Sequence, residues 1–402
     1  MIKIYNASTQ EMDDPGKAAR EILESLDIKN KLLKNSVALL FCNVKFIETG
    51  VMESVCKSLP FDVLGCTSLY FGLPVKAGTP STEGAPTIEG EFILTVTVLT
   101  SDDISFSTGI SGPINDKNAE ECVQELYRST ASSAGEPPSL VFAFPPTITS
   151  VPGDIMAAAL DRACGGIPVF GSVALDMNIH IQHPKTVFKN AGECGAFGDR
   201  MTLLLFRGQV KPRFFYSSFP EKSILSWDAV ITEAVGNRII TINNRPALSF
   251  IKDLGFFKSD THESVMLYPM VVEYPNNQTD VVVLQDVSQE GHLMCSVKVK
   301  TGGVLNIGAT TANSVLEGAK ALAQGLKSSG RGADFIMFSC FLRNVVLGGS
   351  SKEEFDLIGH ELEDYPGSWL FVNSGGELCP CYRKNGDTVN MFHQYALIAC
   401  QF

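Results

Sequence analysis

Phe338-Ser339-Cys340-Phe341-Leu342-Arg343 ends one apolar run of the sequence, and Asn373-Ser374-Gly375-Gly376-Glu377-Leu378-Cys379-Pro380 ends the next. An amphipathic segment, residues 352–362, lies between the two runs. An apolar run, a polar loop, an amphipathic segment and a second apolar run are typical of two parallel strands joined by a crossover helix. This part of the chain therefore predicts a β-loop-α-β unit.

Two earlier stretches of the chain repeat the pattern. The first copy runs from residue 37 to Gly65-Cys66-Thr67, and the second runs from residue 140 to Gly171-Ser172. Only the third copy adds an Arg and a Glu at its two strand ends, Arg343 and Glu377. This difference indicates that two copies are architectural and that the third carries the chemistry.

Each copy is followed by long alternating or apolar runs, which are typical of antiparallel strands that extend the same sheet. These runs are residues 91–99, 104–108, 201–206, 213–216 and 389–400. The sheets should therefore be mixed rather than purely parallel. The fold class predicted is α/β, with mixed β-sheets flanked by helices and a large share of strand.

The region between the second and third copies has a different pattern. Residues 227–235 predict a short helix, and the strands that follow turn at Asn243-Asn244-Arg245-Pro246 and at Gln289-Glu290-Gly291. Residues 310–327 place apolar side chains at helical spacing and predict a long helix, with Thr311 available to cap its start.

This order of elements predicts two closely packed domains. Residues 1–218 hold the first two copies, and residues 219–402 hold the intervening region and the third copy. The boundary is placed at residues 219–223, a short polar stretch that contains a proline. Residues 77–86, rich in Gly, Pro, Ser and Thr, predict a mobile loop.

Composition excludes several classes of partner. The chain has 402 residues, of which 45% are hydrophobic and 19% are charged, and its net charge is −12. A negative protein lacks the basic field that nucleic acid or an anionic membrane requires. The first residues lack the apolar core of a secretory signal, and no apolar stretch approaches the ~20 residues that cross a bilayer. We therefore expect a soluble, cytoplasmic protein.

Eleven cysteines are present, and most lie inside apolar runs, where a reduced cysteine behaves as a small hydrophobic residue. This usage is typical of a reducing compartment. Cys379 and Cys381 form the one close pair, and a structural zinc site would need a second pair. We expect no metal site.

The motifs of the third copy resemble those of the FIST domain family. Ser339-Cys340 followed by Arg343 is similar to the Ser-Cys and Arg of the family's C-terminal module. Gly376-Glu377 with Pro380 is similar to its Gly-Glu-x-x-Pro element, and Phe392-His393 stands where the family has Phe-His-Asn. The resemblance covers nearly the whole chain and implies a FIST N module followed by a FIST C module.

Three positions depart from the family's pattern. Gln394 and Ala396 stand where the family has an Asn and a Thr, and Gln285 stands where an Arg is usual in a strand of the region before the third copy. A pocket that relied on those groups would differ in polarity.

The resemblance implies a sensory role in intracellular signal transduction. FIST modules are sensory input domains of bacterial signalling proteins, proposed to bind small ligands such as amino acids, and some bacterial members are haem-containing nitric oxide sensors. Because the two modules would take up nearly the whole chain, we expect it to contain no output domain and no F-box. We therefore expect a stand-alone bacterial-type sensor that binds a small polar molecule and signals through a separate partner such as a kinase.

Arg343 and Glu377 are the first residues assigned to that ligand. A guanidinium holds a carboxylate with two parallel hydrogen bonds, and a carboxylate accepts from an ammonium group, so the two would suit an α-amino acid. The alternative for Arg343 is an internal salt bridge with Glu377 or Glu353. The full predicted ligand site is Arg343, Glu377, Ser339, Cys340, Asn373 and His393.

Two other functions stay open at this point. A thiol enzyme would use Cys340 as nucleophile, His393 as base and Glu377 to orient it, although a cysteine that ends an apolar run is usually part of the core and we expect no enzyme. A haem sensor would need an axial ligand, for which His180, His183 and His393 are available.

The glycine turns at Gly65, Gly171 and Gly375 lack phosphate-loop spacing and are expected to have φ > 0.

Overall fold

The computed structural model describes residues 2–74, 87–132, 135–148, 150–176, 183–218, 224–254, 270–275, 279–308, 310–329, 332–382 and 388–402. The predicted loop at 77–86 and the predicted boundary at 219–223 fall in the gaps between these ranges, as does His180. The helices described are α1 (Pro15–Leu26), α2 (Ile28–Lys31), α3 (Lys45–Glu48), α4 (Val51–Ser58), α5 (Ala119–Ala131), α6 (Gly153–Cys164), α7 (Ala247–Asp253), α8 (Ala312–Ser328), α9 (Phe341–Val346) and α10 (Ser351–Glu361).

The strands lie between and beyond these helices. In the first half of the chain they are β1 (Lys3–Thr9), β2 (Asn35–Cys42), β3 (Val63–Thr67), β4 (Phe71–Pro74), β5 (Thr87–Gly90), β6 (Leu94–Ser101), β7 (Ser105–Ile110), β8 (Pro138–Phe144), β9 (Val169–Ser172), β10 (Thr186–Lys189), β11 (Cys194–Phe197), β12 (Thr202–Arg207) and β13 (Arg213–Ser217). In the second half they are β14 (Ile224–Val235), β15 (Arg238–Ile242), β16 (Arg245–Pro246), β17 (Met270–Glu273), β18 (Thr279–Val282), β19 (Leu284–Val287), β20 (Leu293–Cys295), β21 (Val304–Gly308), β22 (Phe335–Cys340), β23 (Trp369–Ser374), β24 (Glu377–Tyr382), β25 (Thr388–His393) and β26 (Leu397–Gln401).

Three six-stranded sheets share one plan, and each is built around one of the repeated units. The parallel pairs at their centres are β2–β3, β8–β9 and β22–β23. An antiparallel strand, β6, β12 or β26, lies beside the first strand of each pair, and β1, β7 or β13 lies outside it. The helices α4, α6 and α10 lie between the paired strands in the chain. The predicted β-loop-α-β repeat and the α/β class with mixed sheets are confirmed.

The units also exchange hairpins in a cycle. The hairpin β4–β5 follows the first unit but pairs with β23 of the third, and β10–β11 follows the second unit but pairs with β3 of the first. The third unit's hairpin, β24–β25, pairs with β9 of the second. Each six-stranded sheet therefore combines two units, and two of them cross the predicted boundary after residue 218. That boundary stays a prediction.

A common core forms where the three sheets meet. Phe41, Phe144 and Phe338 lie near the carboxyl ends of β2, β8 and β22 and are fully buried. Their ring centroids are 5.6, 5.7 and 6.3 Å apart, with the rings in edge-to-face arrangements. Such aromatic pairs add about 0.5–1.5 kcal/mol each beyond the area they bury. The repeat thus places one equivalent ring from each unit in the core.

Close backbone approach explains the glycines at the strand ends. A Cβ on Gly65 would lie 2.0 Å from the carbonyl oxygen of Leu40, and one on Gly171 would lie 1.9 Å from that of Ala143. Gly171 and Gly375 do not have positive φ, so our expectation for them was wrong. At Gly171, the neighbouring parallel strand leaves no room for a side chain.

The fourth sheet is antiparallel and has the order β18-β17-β21-β14-β15-β20-β19, with β16 beside β15. Residues 227–235, expected to be helical, lie in β14, so that prediction was wrong. Burial alternates there, with Ala229 and Ile231 buried and Val230 exposed. A burial pattern that repeats every two residues is typical of a strand with one covered face. Neighbours on both sides, β15 and β21, complete its backbone hydrogen bonds.

Other local predictions for this region are confirmed. Asn243 and Asn244 both have positive φ and turn the chain between β15 and β16. The Gln289-Glu290-Gly291 turn joins β19 to β20. Thr311 and Ser314 form a capping box at the start of α8. None of the described helices is both long and apolar enough to cross a membrane.

Candidate functional site

Arg343 lies in α9, one turn beyond the end of β22, and its guanidinium is buried. Nε and Nη2 donate to Oε1 of Glu354 at 2.9 and 2.6 Å. Nη2 also donates to the carbonyl of Val315 at 2.9 Å, and Nη1 donates to that of Tyr395 at 3.3 Å. The Ser339 hydroxyl donates to the other oxygen of Glu354 at 2.5 Å. Both charged groups are therefore satisfied inside the protein.

Arg343 therefore pairs with Glu354 and not with Glu377 or Glu353, the two partners predicted for an internal salt bridge. Glu354 lies on the buried face of α10 with Phe355 and Ile358, whereas Glu353 points to solvent. Adjacent helical residues are about 100° apart around the axis, so only one of the pair can face Arg343. The apolar periodicity of α10 was the signal that could have identified Glu354.

Asn373 and His393 are also bonded within the protein. Ser351 donates to Oδ1 of Asn373 at 2.8 Å, and Nδ2 of Asn373 lies 3.4 Å from the carbonyl of Ser339. Nε2 of His393 lies 3.0 Å from the carbonyl oxygen of Cys379, a distance at which a protonated Nε2 donates to it. Burial lowers the pKa of His393, which favours the neutral ring.

Glu377 begins β24 and is fully buried. Neither of its carboxyl oxygens has a hydrogen bond of normal geometry to a described group. Burial is the largest influence and raises the pKa of Glu377 well above its usual value, while Ser374, Cys340 and the N–H of Ala396 lie near enough to oppose the rise. Burial therefore favours the protonated form of the Glu377 carboxyl in the folded protein.

Glu377→Gln is therefore expected to stabilise the protein at pH 8 and to leave it nearly unchanged at pH 4. The folded state holds a proton that the unfolded state releases above the ordinary glutamate pKa, so wild-type stability falls as pH rises through that range. An uncharged Gln removes this dependence. Urea unfolding of both proteins at pH 4, 6 and 8 measures it.

The matched control is Glu125→Gln, which removes an exposed carboxylate from α5. It should shift stability by less than about 0.5 kcal/mol at each pH. A Glu377→Gln protein that is less stable than wild type at pH 8 would show that the ionised carboxylate stabilises the fold.

A cavity of about 80 Å³ opens at the carboxyl ends of β8 and β22. Pro146 and Thr147 follow β8, Cys340 ends β22, and Gly375 follows β23. The fourth sheet adds a wall that includes Gln285. In open α/β sheets, ligands bind at this end of the strands. The cavity therefore lies where two repeated units and the fourth sheet meet.

Most of the described wall is apolar. Its polar side chains come from Thr147, Gln285, Ser296, Cys340 and Gln394, and no charged side chain lines the part of the wall that the structure describes. Of the six residues predicted to bind a ligand, Cys340 is the one among these lining residues. The two glutamines that depart from the family's pattern both lie in the wall. Their departure from the family's pattern was the signal in the sequence that could have pointed to these two wall residues.

Gln394 is a polar residue of the wall that is held by a side-chain hydrogen bond. It is 7% exposed, and its Nε2 donates to the Ser296 hydroxyl at 2.5 Å. Its Oε1 has no hydrogen-bond partner among the described groups. The next residue, Tyr395, has φ of 55°, a left-handed conformation that is uncommon for a non-glycine residue. Arg343 and the backbone N–H of Cys340 donate to the carbonyls of Tyr395 and Ala396 and hold this turn.

None of the histidines considered as haem ligands lies in the described wall of this cavity, which offers Met156 and Cys340 as possible axial ligands. His183 instead donates its backbone N–H to Asp176, outside the wall, and the ring of His393 contacts Cys379. The described residues also contain no group of three or more side chains that would hold a metal ion.

Cys340 does not have the character of an activated thiol. Burial raises the pKa of the Cys340 thiol well above its usual value. A catalytic cysteine needs the opposite, a thiolate favoured by a nearby positive charge or base. The electrostatics around Cys340 thus argue against the thiol-enzyme hypothesis.

Comparisons with known proteins place the chain in a family. No curated protein matches it. A crystal structure of a cyanuric acid hydrolase from A. caulinodans is 11% identical and covers 51% of this chain and 71% of its own, with a TM-score of 0.23, which is too low to indicate a shared fold. The FIST N domain model matches residues 36–245, and the FIST C domain model matches residues 247–380. The chain therefore belongs to the FIST domain family.

Proposed function

We propose that this protein is a sensor that binds a small polar metabolite in the cavity at the ends of β8 and β22 and signals through a separate output protein such as a kinase. FIST domains are sensory domains of signal transduction, which supports the sensory role. The observation that carries the ligand part is the cavity itself. Concave sites with mostly apolar walls and a few convergent polar groups are typical of small-molecule binding.

The position of the cavity supports a signalling role. Its wall includes Cys340 from the third unit, Pro146 from the second and Gln285 from the fourth sheet. A ligand that contacts all three would favour one arrangement of these elements over another. Such a difference in affinity between two arrangements is what a sensor requires.

A cytoplasmic location forms part of the same proposal. All eleven cysteines lie in the described ranges and are free thiols. Most are buried, and free thiols persist in a reducing compartment. A kinase partner would act in that compartment.

Amino acids are the first ligands to test, because FIST modules are proposed to bind them. We expect at least one compound of an amino-acid and neutral-metabolite panel to raise the melting temperature of the purified protein. At a ligand concentration 100 times Kd, binding should add about 2.7 kcal/mol to stability. Calorimetric titration would then measure the affinity and the stoichiometry.

The cavity is tested with Ile148→Trp, which should fill it and abolish the shift. Ile148 is half-buried in the wall, and Ile47→Trp in α3 is the matched control because it is also half-buried but lies elsewhere. Binding that survives Ile148→Trp would place the ligand elsewhere.

An absorption spectrum of the fresh protein comes first, since a Soret band would replace this proposal with haem-based nitric oxide sensing.

A further inference from the structure

We propose that Cys194 and Cys56 form an oxidation site, in which a hydroperoxide oxidises Cys194 and Cys56 then closes a disulfide between the two. Neither residue is among those that line the cavity, so this inference does not depend on the ligand. Three observations carry it: the contact between the two thiols, a lysine fixed beside Cys194, and the difference in exposure between the two cysteines.

The two thiols meet where α4 packs against β11. Cys56 lies on the buried face of α4, and Cys194 begins β11 and packs against the same apolar cluster. The thiols are close enough for Cys56 to donate a hydrogen bond to Cys194. On its other side, the sulfur of Cys56 lies 3.6 Å from that of Met52. The pair thus has the proximity that a disulfide requires.

Lys189 is fixed beside this pair. It is the direct partner of Cys194 in the antiparallel ladder of β10 and β11. Its ammonium group donates to the carbonyls of Leu59 and Phe61 at 3.0 and 2.8 Å, just after the end of α4. Both ends of this side chain are therefore held, and a positive charge stays close to the two sulfurs.

These surroundings favour the thiolate of Cys194. The hydrogen bond from Cys56 is the largest influence on its pKa and lowers it. Burial and Glu53 act in the opposite direction, Lys57 and Lys189 lower the pKa further, and the result is a pKa of about 7. The thiolate is the form of cysteine that attacks peroxides. Cys194 is therefore ready to react at neutral pH.

Exposure gives the two cysteines different roles. Among the eleven free cysteines, Cys122, Cys194 and Cys381 are partly exposed, whereas Cys56 is buried. Burial raises the pKa of Cys122 and that of Cys381, so Cys194 alone of these three combines access with a lowered pKa. A peroxide should therefore oxidise Cys194 first, and Cys56 reacts second.

The reaction takes two steps. In the first, the Cys194 thiolate attacks one oxygen of the hydroperoxide, an S–O bond forms, the O–O bond breaks, and the other oxygen takes a proton and leaves as water or an alcohol. In the second, the sulfur of Cys56 attacks that of the Cys194 sulfenic acid, an S–S bond forms, and the S–O bond breaks. The hydroxyl leaves as water with the proton of Cys56. The two thiols lose two electrons, which reduce the peroxide.

The disulfide would fasten an exchanged hairpin. The β10–β11 hairpin follows the second repeated unit but pairs with β3 of the first, to which α4 also belongs. A bond between Cys56 and Cys194 joins the two units covalently, where strand pairing and packing alone hold them in the reduced protein. We therefore expect the amides of β10 to exchange with solvent more slowly after oxidation.

Hydrogen peroxide added to the reduced full chain tests the site. Peptide mapping under non-reducing conditions should find Cys56 joined to Cys194, with the other nine of the eleven cysteines still free. The rate of oxidation should rise with pH and reach half its maximum near pH 7, because the thiolate reacts. A midpoint at the ordinary cysteine value of about 8.5 would overturn the activation of Cys194.

Three serine variants separate the roles. Cys56→Ser should leave a sulfenic acid on Cys194 that dimedone labels, and Cys194→Ser should form no disulfide and react with peroxide at least about tenfold more slowly at pH 7. Cys122→Ser, which removes another partly exposed thiol, should change neither the rate nor the disulfide. Melting curves confirm that each variant is folded, and Cys56→Ala replaces Cys56→Ser if the buried hydroxyl prevents folding.

The other outcomes each overturn part of the inference. A sulfenic acid that forms at Cys122 or Cys381 as fast as at Cys194, or a disulfide at other cysteines, overturns the site. A sulfenic acid on Cys194 that never becomes a disulfide in the wild type overturns the role of Cys56. Amides of β10 that exchange equally fast before and after oxidation overturn the fastening of the hairpin.

Discussion

Replacing Arg343 with methionine is expected to destabilise the protein by about 3–5 kcal/mol, because it leaves one member of a buried ion pair without its partner. Glu354 would keep its Ser339 hydrogen bond but lose both bonds from the guanidinium. The carbonyls of Val315 and Tyr395 would also lose their donor. Urea unfolding of the variant and wild type at pH 7 measures the difference.

An exposed ion pair provides the matched control. Arg128 and Glu125 are 70% and 62% exposed at their side chains, so Arg128→Met should change stability by at most about 1 kcal/mol. The double variant Arg343→Met with Glu354→Leu should recover much of the loss, since no unpaired buried charge remains. A loss below about 1 kcal/mol for Arg343→Met would contradict the structural role.

The same variant addresses the earlier ligand hypothesis for Arg343. If the guanidinium mainly bound a ligand carboxylate, Arg343→Met would keep its stability without ligand and lose amino-acid binding. If the guanidinium mainly holds Glu354 and the turn at Tyr395, stability falls whether or not a ligand is present. Unfolding measurements with and without amino acids distinguish the two.

Gly171→Ala is the other substitution with a large expected effect, a loss of about 3–5 kcal/mol. The added methyl would lie 1.9 Å from the carbonyl oxygen of Ala143 and 2.9 Å from its carbonyl carbon. Both belong to the backbone of the neighbouring strand, so no side-chain rotation relieves the overlap. The parallel strands β8 and β9 would have to move apart and weaken their hydrogen bonds. Thermal and urea unfolding report the loss.

Gly359→Ala is the control for this change. Gly359 lies in α10, and a Cβ there meets nothing within 4 Å. Alanine in a helix interior should stabilise the protein by about 0.5–1 kcal/mol. Equal stability of Gly171→Ala and wild type would show that the two strands can separate without loss.

Local pattern was enough to predict the repeated units. The helices α4, α6 and α10 and the strands beside them follow from apolar periodicity within short windows. The exchange of hairpins could not be predicted in this way, because the backbone edge of a hairpin can pair equally well with its own unit or with another. The same limit explains residues 227–235, where strand partners on both sides decided between helix and strand.

The candidate site was predicted only in part. The end of β22 was identified, and Cys340 lines the cavity. Arg343 was chosen because a guanidinium can bind the carboxylate of a ligand. A buried guanidinium bonds first to the nearest carboxylate of the protein, however, and the face that α10 turns toward Arg343 determines which carboxylate that is. Gln285 and Gln394 were noted as departures without a location, since only the packing of the fourth sheet against the third unit brings them to one wall.

The exchanged hairpins set an order of events during synthesis. Gly72 of β4 pairs with Phe371 of β23, about 300 residues later, and such distant contacts form late in folding. On the ribosome, the β4–β5 hairpin emerges long before its partner exists. Unpaired strand edges are prone to aggregate in this interval. The hairpin therefore has no native partner strand until the residues of β23 have been synthesised.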